Sequence, residues 1–232
     1  MSAAANEGKA LEVEIDGEKV QRIPLRTRVV MPEDDLDEVV ATYAAGAVQP
    51  GDLLFVTEKI VAITQGRSYL LSDIQPRKLA RFLSRYVVKT PHGIGLGMPE
   101  TMEMALRECG VPRILFAAAV AAVTKKLGRK GDFYRIAGDK ARAIDGPTSG
   151  TIPPYNQAVV LGPERPREVA RHVQQLLGGG IDVAVVDIND IGGNILGSTL
   201  DKAGEKRLVR ILGDNPLGQG HQSTPMGIVR VL

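Results

Sequence analysis

Residues 51–67 read GDLLFVTEKIVAITQGR, and this stretch decides the core of the fold. The run 52–57 is apolar enough to form a buried strand. Polar side chains follow it at once, because Thr57, Glu58 and Lys59 stand where the apolar run ends. Polar groups gathered at the end of a buried strand are well placed to form a functional site.

The residues before this strand predict a hairpin and a helix. Residues 11–15 alternate in polarity, Asp16-Gly17 is a hairpin turn signal, and 19–30 is rich in β-branched residues. Residues 36–43 have a helical period and are preceded by acids, which favour the positive end of a helix dipole.

The residues after it predict a helical middle and a mixed remainder. Three helices are each opened by a proline, and the remainder contains a further helix and short strands. These predicted helices cover 76–86, 99–110, 112–127 and 166–177, and the predicted strands cover 133–137, 158–161 and 183–186. The pattern predicts a mixed α and β fold, either one unit over 1–232 or two subdomains with a boundary near 90–131.

Composition narrows the class of protein. The chain has 232 residues, 44% of them hydrophobic, and 29 Lys and Arg against 27 Asp and Glu give a net charge of +2. This balance argues against a nucleic-acid partner. The one cysteine, Cys109, fits a reducing compartment, and the N-terminal residues lack a secretory signal, so we expect a cytoplasmic protein. The most apolar stretch, 114–123, is too short to cross a bilayer, so we expect no membrane partner.

The residues that could carry out chemistry lie in two segments rich in glycine and polar residues, 144–157 and 187–199, a composition typical of catalytic loops. They contain the acids Asp145, Asp187 and Asp190. Carboxylate oxygens suit Mg²⁺ or Mn²⁺, which proteins usually bind through one or two carboxylates plus substrate phosphates. Such acids equally well cap turns, and the residues alone leave both interpretations open. For Lys59 a phosphate contact and a surface ion pair also both remain open.

Several motifs together resemble the coenzyme F420 γ-glutamyl ligase family. The N-terminal part of the resemblance lies in the order and spacing of Pro24-Leu25-Arg26-Thr27, Glu33-Asp34-Asp35-Leu36, residues 51–61 and Gln65-Gly66-Arg67. Further along, Ala143-Ile144-Asp145-Gly146 before Pro163-Glu164 is similar to the family's metal loop, and 183–192 is similar to its second acidic loop.

The resemblance implies an α+β fold with mixed, largely antiparallel sheets and helices, intertwined in a homodimer. It implies a GTP-dependent ligase that joins a small-molecule carboxylate to an amino acid, with Mg²⁺ or Mn²⁺, through an acyl phosphate. In that reaction glutamate is added to a deazaflavin precursor. Lys59 would neutralise phosphate charge as the catalytic residue, and a metal would be held by Asp145 with Asp190 or Asp187. The implied nucleotide-binding residues are Pro24, Leu25, Thr57, Lys59 and Gly66.

The chain departs from the family in ways that open other functions. Aligned on Gly192, Asn189 stands at the family's aspartate and Asp190 follows one place late. The middle segment 90–131, with its alanine-rich helix, does not follow the family pattern, and a short glycine-rich tail, 213–227, replaces the usual C-terminal segment. One alternative is therefore a non-catalytic protein that binds a nucleotide or another phosphorylated ligand on the same fold. A further alternative is a subunit whose alanine-rich helix packs against a different chain.

Overall fold

The chain divides into two compact units that are not simple halves. The computed structural model describes residues 4–87, 95–129, 131–148, 150–189, 192–218 and 221–232. Unit 1 consists of Met1–Gly66 with Pro163–Leu232, and unit 2 is Arg67–Gly162. The change of composition near 90–131 lies inside unit 2. Because unit 1 is assembled from two distant segments, composition along the chain does not mark its boundaries.

The secondary structure follows the chain as a mixture of strands and helices. The strands are β1 (Glu12–Ile15), β2 (Glu18–Leu25), β3 (Leu53–Thr57), β4 (Ser68–Leu70), β5 (Ala158–Val160), β6 (Asp182–Asn189), β7 (Gly192–Ser198) and β8 (Met226–Val231). The helices are α1 (Leu36–Tyr43), α2 (Glu58–Thr64), α3 (Lys78–Ser84), α4 (Pro99–Cys109), α5 (Val111–Lys126), α6 (Asp132–Ala137), α7 (Asp139–Arg142), α8 (Pro166–Leu176) and α9 (Lys202–Ile211). No helix in the described ranges is long and apolar enough to span a membrane.

Unit 1 is built on a six-stranded sheet of order β1-β2-β8-β3-β6-β7. The pair β3 and β6 is parallel and the other neighbours are antiparallel, so the predicted α+β class with largely antiparallel sheets is confirmed. The opening hairpin is also confirmed, because Asp16 and Gly17 both have positive φ, as its tight turn requires.

Apolar residues of this sheet form a core with helix α9. Phe55 and Val186 are fully buried on that face, in one cluster with Leu208 of α9 and Leu212, which directly follows the helix. Asp201 caps the start of α9, because its carboxylate accepts a hydrogen bond of 2.7 Å from the Gly204 amide. Helix α8 packs against β6 and β7.

Asp52, in the stretch 51–67, is a buried structural acid. Its two oxygens accept hydrogen bonds of 2.8 and 2.6 Å from the Arg230 guanidinium, and Oδ2 also accepts one of 2.7 Å from the Gln49 amide. The pair joins the loop before β3 to strand β8. A buried pair of this kind is costly to break from one side, because the remaining charge is left without a partner.

Gly227 is required where β8 passes between β2 and β3, and we expect Gly227→Ala to be strongly destabilising. An added Cβ would lie 2.6 Å from Phe55 Cζ and 2.9 Å from the Ile23 carbonyl oxygen. Overpacking of this kind costs about 1–3 kcal/mol, and a clash with backbone moves the cost to the upper end. Urea unfolding followed by circular dichroism measures the change in the free energy of unfolding.

The matched control for this substitution is Gly46→Ala. Gly46 has no atom within 4 Å of an added Cβ and no positive φ. The control is expected to stay within about 0.5 kcal/mol of the parent. Equal stability of the two variants would contradict the close packing around Gly227.

Unit 2 is mainly helical and contains the two-stranded antiparallel sheet β4-β5. Its core lies around α4, where Met102, Ala105 and Leu106 are buried together with Ile114 of α5 and Val159 of β5. The predicted helices over 76–86, 99–110 and 112–127 are confirmed as α3, α4 and α5, with ends that differ by a few residues.

Two sequence predictions about single segments are wrong. The predicted strand 133–137 is helix α6, and Phe133 and Ile136 pack on the unit 2 core at helical spacing. Short apolar runs do not distinguish strand from helix, and the packing against α5 decides. The predicted loop 187–199 is the end of β6 followed by β7. Its glycines suggested a loop. Gly197 instead lets strand β7 lie close to the backbone of α8, because an added Cβ would lie 2.3 Å from the Arg167 backbone nitrogen.

The C-terminal region differs most from the sequence interpretation. The sequence analysis interpreted residues 213–227 as a glycine-rich tail. It did not predict helix α9, which precedes this segment, or strand β8, which begins at its end. Strand β8 lies between β2 and β3 in the middle of the sheet. Its partners are more than a hundred residues earlier in the chain, so local sequence contains little of the information that forms it.

Candidate functional site

Three strands of unit 1 end at the same edge of the six-stranded sheet, which we call the C-terminal edge. Strand β8 is antiparallel to both β2 and β3, so β2 and β3 point in the same direction, and β6 is parallel to β3. Leu25, Met226, Val56 and Val185 lie in register across these four strands. In sheets with parallel strands, ligands bind preferentially outside the carboxyl ends of the strands.

Lys59 lies at this edge on a rigid junction. Strand β3 ends at Thr57 and helix α2 begins at Glu58, with no loop between them. Lys59 is in the first turn of α2 and is half-buried, whereas the next residue, Ile60, is in the core. The stem of Lys59 is therefore held by elements that are both fixed by buried side chains.

The predicted nucleotide contacts Pro24 and Leu25 are the last residues of β2 at the same edge. Leu25 is buried, so its side chain belongs to the core. A ligand at this edge would therefore meet its main chain. Thr57, at the end of β3, donates its amide hydrogen to the Pro225 carbonyl over 2.9 Å. Thr27 donates its amide hydrogen to the Ser223 carbonyl, also over 2.9 Å.

These two bonds show what the sequence interpretation missed at this edge. Residues 223–225 connect the end of β2 to the end of β3, although sequence reasoning placed them in a tail. Ser223 has φ of 51°, and Thr224 is buried. A signal was present in the β-branched residues Ile228, Val229 and Val231 after Pro225, which are typical of a strand that begins near a proline.

Asp187 lies on β6 at the C-terminal edge. Val186 is the register partner of Thr57, so Asp187 is one residue beyond the level at which β3 ends. Asp187 is half-buried and pairs across the hairpin with Asn194. Asn189, the last residue of β6, lies on the same face of the strand as Asp187, because side chains alternate along a strand. Asp190, the other predicted metal ligand of this segment, lies outside the described residues.

Gly66 lies beyond the other end of α2. It has φ of 70°, which suits glycine at the end of a helix, and the length of α2, about 10 Å, separates it from Lys59. The preceding residue, Gln65, binds the main chain of Glu164 through both side-chain atoms. Its Nε2 donates to the Glu164 carbonyl over 3.0 Å, and its Oε1 accepts from the Glu164 amide over 2.7 Å. This part of the signature therefore holds two chain segments of unit 1 together.

Asp145 lies in unit 2 on a backbone fixed from both sides. Its amide donates to the Val160 carbonyl over 2.8 Å, and its carbonyl accepts from the Val160 amide over 3.0 Å. Ile144 before it is buried, whereas Asp145 itself is exposed. A rigid main chain with an exposed carboxylate is an arrangement that metal binding favours.

A half-buried carboxylate braces the elements around Asp145. Glu108, at the end of α4, accepts a hydrogen bond of 2.7 Å from Arg67 and lies 3.0 Å from the Lys140 ammonium. Burial raises the pKa of Glu108, but the hydrogen bonds from Lys140 and Arg67 outweigh it and lower that pKa below its usual value. Arg67 also donates to the Gly162 carbonyl over 2.7 Å. Glu108 thus ties α7 to Arg67 at the start of β4, and Arg67 in turn contacts the residue that follows Leu161.

The carboxylates suit one mode of metal binding. Within the described parts of the chain, no three side chains of His, Cys, Asp or Glu come together as a metal cluster. The predicted ligands that the structure places are Asp187 in unit 1 and Asp145 in unit 2. Mg²⁺ is usually bound through one or two carboxylates and completed by water and substrate phosphates, and each of these acids, taken within its own unit, fits that mode.

A model of the family described as F420-0:Gamma-glutamyl ligase matches residues 24–197. The chain belongs to this family. The match begins at Pro24 and includes Lys59, Asp145 and Asp187, and it ends in β7 before α9 and β8. No curated protein matches the chain.

Membership of the F420-0:γ-glutamyl ligase family gives the function in outline. The chain is an enzyme with a γ-glutamyl ligase role in coenzyme F420 biosynthesis, and its substrates are small molecules. Four residues implied by the resemblance, Pro24, Leu25, Thr57 and Lys59, lie together at one edge of unit 1, and the ligase family's second acidic segment reaches the same edge through Asp187.

Proposed function

We propose that the protein uses a nucleoside triphosphate and a divalent metal to join the amino group of glutamate to a carboxylate of a deazaflavin precursor. The proposal includes GTP as the triphosphate, Mg²⁺ or Mn²⁺ as the metal and an acyl phosphate as the intermediate. The observation that supports it best is the C-terminal edge of unit 1, where Lys59 follows β3 and Asp187 lies on the neighbouring parallel strand β6, one residue beyond the level at which β3 ends. This placement is suited to phosphates that are bound by a cation and by a metal at the same time.

The reaction takes place in two steps. First, an oxygen of the substrate carboxylate attacks the γ-phosphorus of GTP, the bond from that phosphorus to the bridging oxygen breaks, and GDP leaves. The amino nitrogen of glutamate then attacks the acyl carbon of the mixed anhydride and loses a proton. The new C–N bond forms as the C–O bond to phosphate breaks, and inorganic phosphate leaves.

In this proposal Lys59 acts on the charge of the phosphates. Its ammonium stabilises the negative charge that spreads over the oxygens of the transferring phosphoryl group. Rigid placement at the β3–α2 junction matters here, because electrostatic stabilisation is effective only when the charge is already in position. Main-chain groups of Pro24, Leu25 and Thr57 at the same edge would position the nucleotide.

Acidic side chains are the candidate metal ligands. Asp187 and Asp190 are the candidates in unit 1, and Asp145, in the segment similar to the family's metal loop, is the candidate in unit 2. When bound, a divalent metal neutralises phosphate charge and orients the triphosphate. Asn189 is a neutral amide at the position where the resemblance expects an acid, and it would donate or accept hydrogen bonds without adding charge.

We expect nucleotide and metal to bind cooperatively, because they share oxygen ligands. Calorimetry with a non-hydrolysable guanosine triphosphate analogue should show at least about 10-fold tighter binding with Mn²⁺ than with a chelator. The same titration with the adenosine analogue tests the choice of GTP. Equal affinities with and without Mn²⁺ would contradict a metal-bridged site.

A second candidate function is binding of a phosphorylated ligand without turnover, and the amide Asn189 in the acidic segment favours it. Turnover separates the two candidates. The ligase is expected to release GDP and phosphate only when the carboxylate substrate is present, and hydroxylamine should trap the acyl phosphate as a hydroxamate. Tight nucleotide binding with no hydroxamate and no product would favour the second candidate.

A further inference from the structure

The side chain of Asn6 contacts residues between α9 and β8, at the far end of the sequence. Its Nδ2 donates hydrogen bonds of 3.1 and 2.9 Å to the Pro216 and Leu217 carbonyls, and one of 2.9 Å to Thr224 Oγ1. We call the described residues of this connection, 214–218 and 221–225, the α9–β8 loop. A side-chain amide nitrogen has two hydrogens, so the three contacts share both of them. Asn6 thus uses its whole donor capacity on the α9–β8 loop.

The segment that contains Asn6 is itself attached to unit 1. The Lys9 amide donates to the Asn6 carbonyl over 3.0 Å, which closes a turn, and Gly8 within this turn has φ of 74°. Arg22, a buried residue of β2, donates to the Ala10 carbonyl over 2.7 Å. The backbone that carries Asn6 is therefore held in place, as a positioning role requires.

Thr224 is the residue of the α9–β8 loop that Asn6 fixes by its side chain. Thr224 is buried, and its hydroxyl accepts from Asn6 and donates to the Leu217 carbonyl over 2.8 Å. Leu217 is buried in the core of the six-stranded sheet. Asn6, Thr224 and Leu217 thus form a closed set of hydrogen bonds that joins the two ends of the loop.

The two neighbours of Thr224 hold the C-terminal edge. The Ser223 carbonyl accepts the Thr27 amide hydrogen, and the Pro225 carbonyl accepts the Thr57 amide hydrogen, each over 2.9 Å. Thr27 ends the motif that follows β2, and α2 begins directly after Thr57. A shift of Thr224 would therefore move both contacts that join the loop to the ends of β2 and β3.

The backbone of the α9–β8 loop needs contacts of this kind. Asn215 and Ser223 have φ of 52° and 51°, a left-handed conformation that is uncommon for residues other than glycine. Residues in this conformation persist where surrounding contacts specify it, and they are concentrated at functional sites. The contacts of Asn6 lie directly beside both residues, because Pro216 follows Asn215 and Thr224 follows Ser223.

We propose that Asn6 is a positioning residue for the C-terminal edge of unit 1. It fixes residues 223–225, and through them the main-chain groups at the ends of β2 and β3 that receive the nucleotide. The proposal rests on the proposed function for the identity of that ligand. Asn6 and the α9–β8 loop both lie outside residues 24–197, so the family match assigns no role to either.

Amide hydrogen exchange in the full chain measures the hold on the strand ends. In Asn6→Ala the amide hydrogens of Thr27 and Thr57 are expected to exchange at least about 10-fold faster, because their acceptors are no longer fixed. The Asp182 amide is the internal reference. It donates to the Asp52 carbonyl over 2.9 Å at the opposite end of β3 and β6, and its exchange is expected to stay unchanged.

Calorimetry with a non-hydrolysable guanosine triphosphate analogue and Mn²⁺ measures the consequence for the site. Asn6→Ala is expected to weaken nucleotide binding at least about 10-fold with unchanged stoichiometry, because small misplacements of binding groups are costly. A residue that only stabilises the fold would behave differently. Its loss would lower the stoichiometry through the unfolded fraction and leave the dissociation constant of the folded protein unchanged.

Two further variants show whether the hydrogen-bond donors of Asn6 are responsible. Asn6→Asp keeps the shape of the side chain and removes both donors at neutral pH, so it is expected to match Asn6→Ala in both measurements. It also replaces Asn6→Ala if circular dichroism shows that this variant is not folded. Glu7→Ala changes the exposed neighbouring side chain of the same segment and is expected to stay within about twofold of the parent.

Two results would overturn the positioning role. Parental exchange of the Thr27 and Thr57 amides in both Asn6 variants would show that Asn6 does not hold the strand ends. Faster exchange with parental nucleotide affinity would show that the nucleotide does not depend on the edge that Asn6 holds. A parent protein that binds no nucleotide would reject the proposed function, and this role with it, before any variant is compared.

Discussion

Lys59→Met is expected to lower kcat/KM about 10³-fold with little change in stability. Removing one preorganised positive group from a phosphoryl-transfer site costs about 10²- to 10³-fold in rate. Methionine keeps much of the apolar stem, so the half-buried position at the start of α2 stays filled. Steady-state kinetics of GDP release, together with melting curves, measure both effects.

The matched control for Lys59 is Lys206→Met. Lys206 is an exposed lysine of unit 1 on α9, so its substitution removes the same charge from the same unit. The control is expected to keep parental kinetics within about twofold, since distant surface substitutions are usually nearly neutral. Parental kcat/KM and triphosphate affinity in Lys59→Met would reject the phosphate role of Lys59.

Asp145→Asn is expected to weaken Mn²⁺-dependent nucleotide binding about 100-fold. Changing groups that support a metal site costs 10- to 100-fold, and loss of a ligand charge belongs at the upper end. The fold should be unaffected, because Asp145 is tied to Val160 through main-chain bonds that asparagine retains. Calorimetry with and without Mn²⁺ separates the metal-dependent part from the rest.

Asp139→Asn is the control for this change. Asp139 is another acid of unit 2, with a side chain that is 98% exposed, and neutralising it should alter affinity by less than about twofold. A variant of Asp145 that unfolds would show a structural role for its carboxylate. One that binds nucleotide with the parent's dependence on Mn²⁺ would remove Asp145 from the metal site.

Much of the fold was predictable where the signals are local. The hairpin at Asp16-Gly17, the helix that begins after Asp35 and the strand 53–57 follow from turn chemistry, capping and apolar runs. These signals act within a few residues, so local sequence contains them. Segment 133–137 shows the limit, because its four apolar and aromatic residues around Arg135 fit a strand as well as the helix that packing against α5 selects.

The candidate site was predictable residue by residue and not as an arrangement. Polar residues directly after a buried strand pointed to Thr57 and Lys59, and acids near glycines pointed to Asp145 and Asp187. The resemblance to the ligase family supplied their implied roles, and the match over 24–197 confirmed the family. The contribution of residues 223–225 was missed because it depends on strand β8.

The sequence by itself determined the family, the α+β class and the identity of most candidate residues. Composition, periodicity and ordered motifs contain this information within short windows. The tertiary structure alone decided that unit 1 joins residues 1–66 to 163–232, that β8 lies between β2 and β3, and that Leu25, Thr57 and Asp187 share one edge. The physical reason is that pairing between distant strands is selected by the burial of a whole sheet, as at Gly227 against Phe55, and no local segment specifies that burial.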